Sequence, residues 1–210
     1  MQSRSIKAIF CRNRLQLLCI VIAIILSVGL VSAILLSDDT QWTNWSLSRL
    51  GETSSNHLSA FLFNMAVFLA SLLMMSISFF MKRGYVKFGQ LRPAKVSGWG
   101  FALLSVCMMG VSLCPNDTMH AAHFVFSRSI VMLMVVLMFA LPSSLGCLTR
   151  RERLLSFSFP AFMTIIAAQG YIMGKFWFVI VEVLLGVFAM IWLFFICRQL
   201  DLKLVDMEIL

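Results

Sequence analysis

Charged side chains are scarce in this chain: 12% of its 210 positions, with nine aspartates and glutamates in all. A soluble globular domain carries about a quarter of its residues as charge, so the composition excludes one. The catalytic and metal signatures that depend on fixed spacing are also missing. No H-E-x-x-H pair offers a zinc site, no G-x-S-x-G elbow a serine nucleophile, and no C-x-x-C a zinc knuckle or redox pair. Of the six cysteines, Cys11, Cys147 and Cys197 fall at one edge of the hydrophobic segments, Cys19 and Cys107 lie inside them, and only Cys114 approaches the other face. They form no disulfide framework and read as small apolar filler. No internal repeat is visible, which speaks against an inverted-repeat transporter. No cofactor is expected.

What fills the space is hydrophobic. Apolar residues make up 60% of the chain and its mean hydropathy is +0.94. Six apolar segments, about 15–36, 58–81, 98–114, 120–141, 154–173 and 176–197, are each about long enough to cross a bilayer. The expectation is one all-α domain over 1–210, an integral membrane bundle of six transmembrane helices. The net charge of +8 does not point to nucleic acid, because the basic residues alternate between segment ends. Fourteen of seventeen lie before the first segment (Arg4, Lys7, Arg12, Arg14), in the second loop (Lys82, Arg83, Lys87, Arg92, Lys95), in the fourth loop (Arg150, Arg151, Arg153) and in the tail (Arg198, Lys203). Only Arg49 and Lys175 lie in the opposite loops. This positive-inside pattern predicts both termini in the cytoplasm, in a plasma membrane or, for a prokaryotic source, the bacterial inner membrane. Membrane lipids are the expected partners, with anionic headgroups at the basic loops and room for a membrane protein partner.

The first segment ends near Val31-Ser32-Ala33, a small-residue pattern like a signal-peptidase site, but the apolar run continues to Leu36 and reads as an uncleaved first helix. The connection 37–57 is the longest on the outer face. Its Trp42 and Trp45 suit a membrane interface, where they can hold a short helix or flap, with Ser48 and Arg49, down on the headgroups. Lys82–Ser97 reads as a basic loop, Pro142 as the end of the fourth helix and Pro160 as a kink in the fifth. Between the last two helices only 170–175 is left, so they form a tight hairpin.

The polar residues inside the segments cluster around the stretch 114–142. Pro115 suits the first turn of a helix, Asn116 or Asp117 its cap. On a 3.6-residue period His120, Phe124, Ser127 and Val131 form a stripe, with Asp117 and Arg128 on one flank and His123 on the other. Charged and imidazole groups are costly in lipid, so they are expected to face other helices or a cavity. Taking the outer boundary at His57, His120 and Lys175, Asn64 and Glu182 lie about 10 Å deep and Arg128 about 12 Å, with Gln169 shallower. Arg128 and Glu182, of opposite sign at matching depth, are expected to pair across the fourth and sixth helices.

Three readings follow. The first is a pocket in the outer half of the membrane that binds a lipid or amphiphile headgroup through His120, His123, Arg128, Ser127, Asn64, Glu182, Gln169 and Asp117. The second is a metal-dependent intramembrane lipid hydrolase, with Asp117, His120 and His123 in D-x-x-H-x-x-H spacing and His57 from the second helix; it lacks the paired histidines that heptahelical metal-dependent lipid hydrolases carry in their last helix. The third is a structural or accessory subunit whose polar groups only fasten helices together. Ser46, Ser48-Arg49-Leu50-Gly51, Asn64 and Pro115 followed by His120 resemble a prokaryotic family of multi-pass membrane proteins of unknown function, itself similar to the FRAG, DRAM and Sfk group. The resemblance covers nearly the whole chain. It implies a helical membrane fold with a polar cluster at the outer face, and no reaction.

Overall fold

The computed structural model describes residues 14–39, 42–43, 46–54, 56–144, 148–173 and 175–209. Within them the chain is all-α: α1 Arg14–Leu35, α2 His57–Lys87, α3 Leu91–Leu113, α4 His120–Ser144, α5 Arg150–Met173 and α6 Lys175–Ile209, with a short 3-10 helix, Leu47–Gly51, between α1 and α2. All but α5 are long and apolar enough to cross a membrane, which makes this a multi-pass membrane protein. α5 opens on Arg150-Arg151-Glu152-Arg153 and carries Ser156, Ser158, Pro160 and Thr164 along its length.

Several helix ends differ from the sequence reading. The stretch 82–97, expected as a loop, is mostly helix, and the α2–α3 turn shrinks to residues 88–90. Two local features explain it. Gly89 takes a positive φ of 68°, a conformation open to glycine, and Pro93 falls in the first turn of α3, where no intrahelical N–H is needed. α6 continues past Cys197 because its last turns are packed: Leu200 and Asp201 are buried, and the Asp201 carboxylate accepts the Gln16 amide (3.0 Å) at the start of α1. α4 starts at His120, after a turn in which the Pro115 carbonyl accepts the amides of Thr118 and Met119, so neither Asn116 nor Asp117 caps it. Nor does Pro142 end it; the helix runs on to Ser144.

Each helix packs on the next in sequence, and α6 closes the ring on α1 while also meeting α2. Small residues and serines let the backbones approach, as membrane helix contacts require. A Cβ on Gly29 of α1 would lie 2.1 Å from the Ala66 Cβ of α2. Between α2 and α3, the Ser105 hydroxyl donates to the Ser71 carbonyl (2.7 Å) and Ser78 to Gly98 (2.6 Å).

The apolar core lies toward the end of the bundle that holds the α2–α3 turn, hereafter the basic end. Leu15, Ile77, Met81, Tyr85, Phe101, Leu141, Trp192 and Leu193 are fully buried there. Trp192 ties three helices: its ring packs near Phe101 of α3, and its indole N–H donates to the Ser156 hydroxyl of α5 (3.1 Å). The opposite, loop end is built from polar contacts.

Candidate functional site

The connection between α1 and α2 folds back onto the bundle. Its 3-10 helix lies against the first turns of α2, with Leu50 and Gly51 buried. The Ser59 hydroxyl is within bonding distance of the Ala33 and Leu50 carbonyls (2.9 and 3.2 Å), and the Asn64 amide donates to the Gly51 carbonyl (3.0 Å). Asn64 fits there because residue 51 has no side chain: a Cβ would lie 2.7 Å from the Asn64 Oδ1. On the other side the Glu182 carboxylate of α6 accepts the Leu47 amide (2.7 Å). Asn64 and Glu182 each sit two turns into their helices, about 10 Å from the helix start, so the loop reaches into the bundle rather than lying over it. Within the loop, Arg49 bonds Asp39 (2.5 Å) and the Ser46 and Ser48 hydroxyls pair (2.8 Å).

A second set of bonds joins this loop to the α3–α4 turn. Asp117 accepts the Ser54 amide (2.7 Å) and the Thr53 hydroxyl (3.2 Å). Burial pulls the Asp117 carboxyl up, but these hydrogen bonds outweigh it and hold its pKa below the usual aspartate value. The Asn116 amide donates to Glu52 (2.8 Å), and the Asn116 oxygen lies 2.8 Å from the His120 Nδ1. With Nδ1 as the donor, Glu52, Asn116 and His120 form one line of hydrogen bonds that orients the imidazole.

The residues expected to form one pocket are therefore divided. Asn64, Glu182, Asp117, Ser48 and Arg49 fasten the loop. The expected Arg128–Glu182 pair is not formed: the Glu182 carboxylate holds the Leu47 amide, while the Arg128 guanidinium stacks 4.2 Å over the Phe124 ring on its own helix. Ser127 back-bonds to the Phe124 carbonyl. His123 is buried, its Nδ1 at 2.8 Å from the Cys114 carbonyl and its Nε2 without a partner. His120 and His57 are exposed. Asp117, His120 and His123 thus turn three ways, and among the described residues no three His, Cys, Asp or Glu side chains gather as a metal would need. Trp42 is half-buried in a short 3-10 turn; Trp45 lies outside the described residues.

What remains open is one face of α4. His120, Phe124 and Arg128 are exposed in a row one turn apart. Arg128 is also eleven residues, about three turns, before Phe139, so the two share a face. Phe139 stacks on Phe157 of α5 (6.3 Å), which closes that face toward the basic end. Toward the loop end from this contact, Arg128 of α4 is exposed, and on α5 so are Ala161, Thr164, Ala168 and Gln169. These exposed residues lie on the loop-end side of the two phenyl rings, with Arg128 on α4 and Gln169 near the end of α5.

The depth of the charge matters. Helical side chains lean toward the helix N-terminus, and the N-terminus of α4 is at the loop end. Arg128 obeys this: its guanidinium lies level with Phe124, about 6 Å from His120 along the axis, although its Cα is about 12 Å away. The cation is therefore lifted toward the loop end of the bundle, over the Phe124 ring. The sequence reading lacked Glu52 and Asn116 as the groups that orient His120. Their signal is a carboxylate and an amide in two loops on the same face, which gives no hint of their pairing.

No family model, curated protein or solved structure matches the chain.

Proposed function

We propose that this protein binds the anionic headgroup of a membrane lipid or similar amphiphile against the exposed loop-end faces of α4 and α5. On this reading all six helices span the membrane, both termini are cytoplasmic, the loop end faces outward, and the membrane is the plasma membrane or bacterial inner membrane. The observation that carries it is the exposed row His120, Phe124, Arg128, whose guanidinium is raised to headgroup level over an aromatic ring. A guanidinium presents several donors to a phosphate or carboxylate, and the imidazole above adds another. The acyl chain lies below, against the Phe139–Phe157 pair. Gln169 supplies a neutral donor at the rim.

The accessory-subunit reading keeps one specific observation in its favour: Asn64, Glu182 and Asp117 are already used in fastening the loop. Native mass spectrometry of the protein extracted with its lipids separates the two. The lipid reading expects a retained anionic lipid that Arg128→Gln releases while the fold persists. If Arg128→Gln, folded, keeps every lipid the parent keeps, the exposed row holds no headgroup. Topology is tested in a background lacking Cys114: a cysteine at Ser54 should react with an impermeant maleimide on intact cells, and one at Arg92 should not. The reverse pattern inverts the bundle.

A further inference from the structure

The α2–α3 elbow at the basic end carries a second arrangement, separate from the exposed row on α4. Phe79, Arg83 and Lys87 follow one another at one-turn intervals along α2, and Lys82 and Val86 lie on the adjacent row. Together these five residues line a groove of about 370 Å³. Its floor is apolar, from Phe79 and Val86, and its three polar groups are all cations. Among the described residues no carboxylate lies within ion-pair distance of Lys82, Arg83 or Lys87.

Two contacts fix Arg83 and Lys82 in place. The Arg83 guanidinium lies 5.3 Å over the Phe79 ring, drawn back along α2 away from the elbow. The Lys82 stem lies across Gly98 of α3, where a Cβ would come within 2.9 Å of its Cδ. One residue further along α3 is Trp99, which is 76% exposed. A tryptophan directed out of a membrane bundle settles at the interface between headgroups and chains, so Trp99 marks that level without reference to charge. Lys82 sits beside it. The groove is thus at the height of the phosphates, with its aromatic floor on the acyl side.

We infer that Lys82, Arg83 and Lys87 over Phe79 form a discrete site for the phosphate of an anionic phospholipid in the leaflet around the α2–α3 elbow. The cations supply charge-assisted donors to a phosphodiester, and Phe79 and Val86 receive the first part of the chains. A free phosphate has no use for that floor.

The test uses the intact protein in vesicles that contain acyl-brominated phosphatidylglycerol or, in parallel, acyl-brominated phosphatidylcholine at equal mole fraction. The readout is the bromine quenching of Trp99, isolated by subtracting the Trp99→Phe variant. Phosphatidylglycerol should quench several-fold more than phosphatidylcholine. Each neutralised cation should lower the preference about fivefold, so Arg83→Gln with Lys87→Gln should abolish it while helicity and phosphatidylcholine quenching stay unchanged. Arg92→Gln with Lys95→Gln removes as much charge from the neighbouring surface outside the groove and should change the preference little. Three results overturn the site: equal quenching by the two lipids, an equal loss in the Arg92/Lys95 variant, or loss of the preference in millimolar inorganic phosphate at constant ionic strength. The second means a diffuse basic surface and the third a free-anion site. Because Arg128 is untouched throughout, failure here leaves the α4–α5 reading standing, and the reverse also holds.

Discussion

Replacing Glu182 with alanine removes the acceptor that holds the amide at the start of the 3-10 helix. The bond is short, 2.7 Å from the Leu47 nitrogen, and both residues are half-buried, so water only partly compensates its loss. A hydrogen bond of this kind contributes about 0.5–1.5 kcal/mol to a neutral acceptor and about 1.5–3 kcal/mol to a charged one. The loop should therefore open about two- to 140-fold more often, at tenfold per 1.4 kcal/mol. Hydrogen exchange followed by mass spectrometry on the peptide covering residues 46–54 reads this directly, because opening exposes those amides while the helices remain protected. Glu182→Gln keeps an oxygen facing Leu47 and should lose much less protection. Asn64→Ala frees the far end of the same segment at Gly51, so its effect should be less than additive with Glu182→Ala. The reasoning fails if Glu182→Ala leaves exchange in 46–54 unchanged, or if Glu182→Gln matches it, since no packing change distinguishes those outcomes from an unformed bond.

Three further outcomes are expected. Gly29→Ala forces a methyl into Ala66, and at about 1–3 kcal/mol of overpacking it should lower the folded yield and thermal midpoint, with Ala66→Gly restoring part of both. Because the hydrogen bonds depress the folded-state pKa of Asp117 below 3.8, the stability they contribute is present above the unfolded pKa and lost as pH falls through the folded one. Exchange at Ser54 should accordingly stay flat from neutral pH down to about 5 and rise only below about 4, after correction for intrinsic rates, and in Asp117→Asn this acid step should vanish. Ser156→Ala leaves the buried Trp192 indole N–H without an acceptor and should cost about 1–3 kcal/mol in a thermal melt, whereas Trp192→Phe in the same background should add little beyond the lost ring volume.

The sequence by itself determined the class of this protein. Long apolar runs exclude a soluble domain because a backbone in lipid must satisfy its own hydrogen bonds, and helices do so within a single segment. It also located the polar residues, since Asn64, Glu182, Asp117, His120 and Arg128 stand out against an apolar background. Their partners were not legible. Depth along separate helices paired Arg128 with Glu182 because charge and height matched, but height says nothing of azimuth, and a loop able to reach into the bundle offered Glu182 an amide that no count along the helices contains. The second loop was misread for a related reason: basic composition marks a membrane boundary, not a helix end, and α2 and α3 continue through it to a turn at Gly89. The tertiary structure alone decided which faces close and which stay open. The row at His120, Phe124 and Arg128 is exposed on the loop-end side of the Phe139–Phe157 contact, and the Phe79 groove stands near Trp99 because Lys82 crosses Gly98. Both depend on how helices distant in sequence are rotated against each other, which is fixed by packing across the bundle and leaves no periodic trace in any one segment.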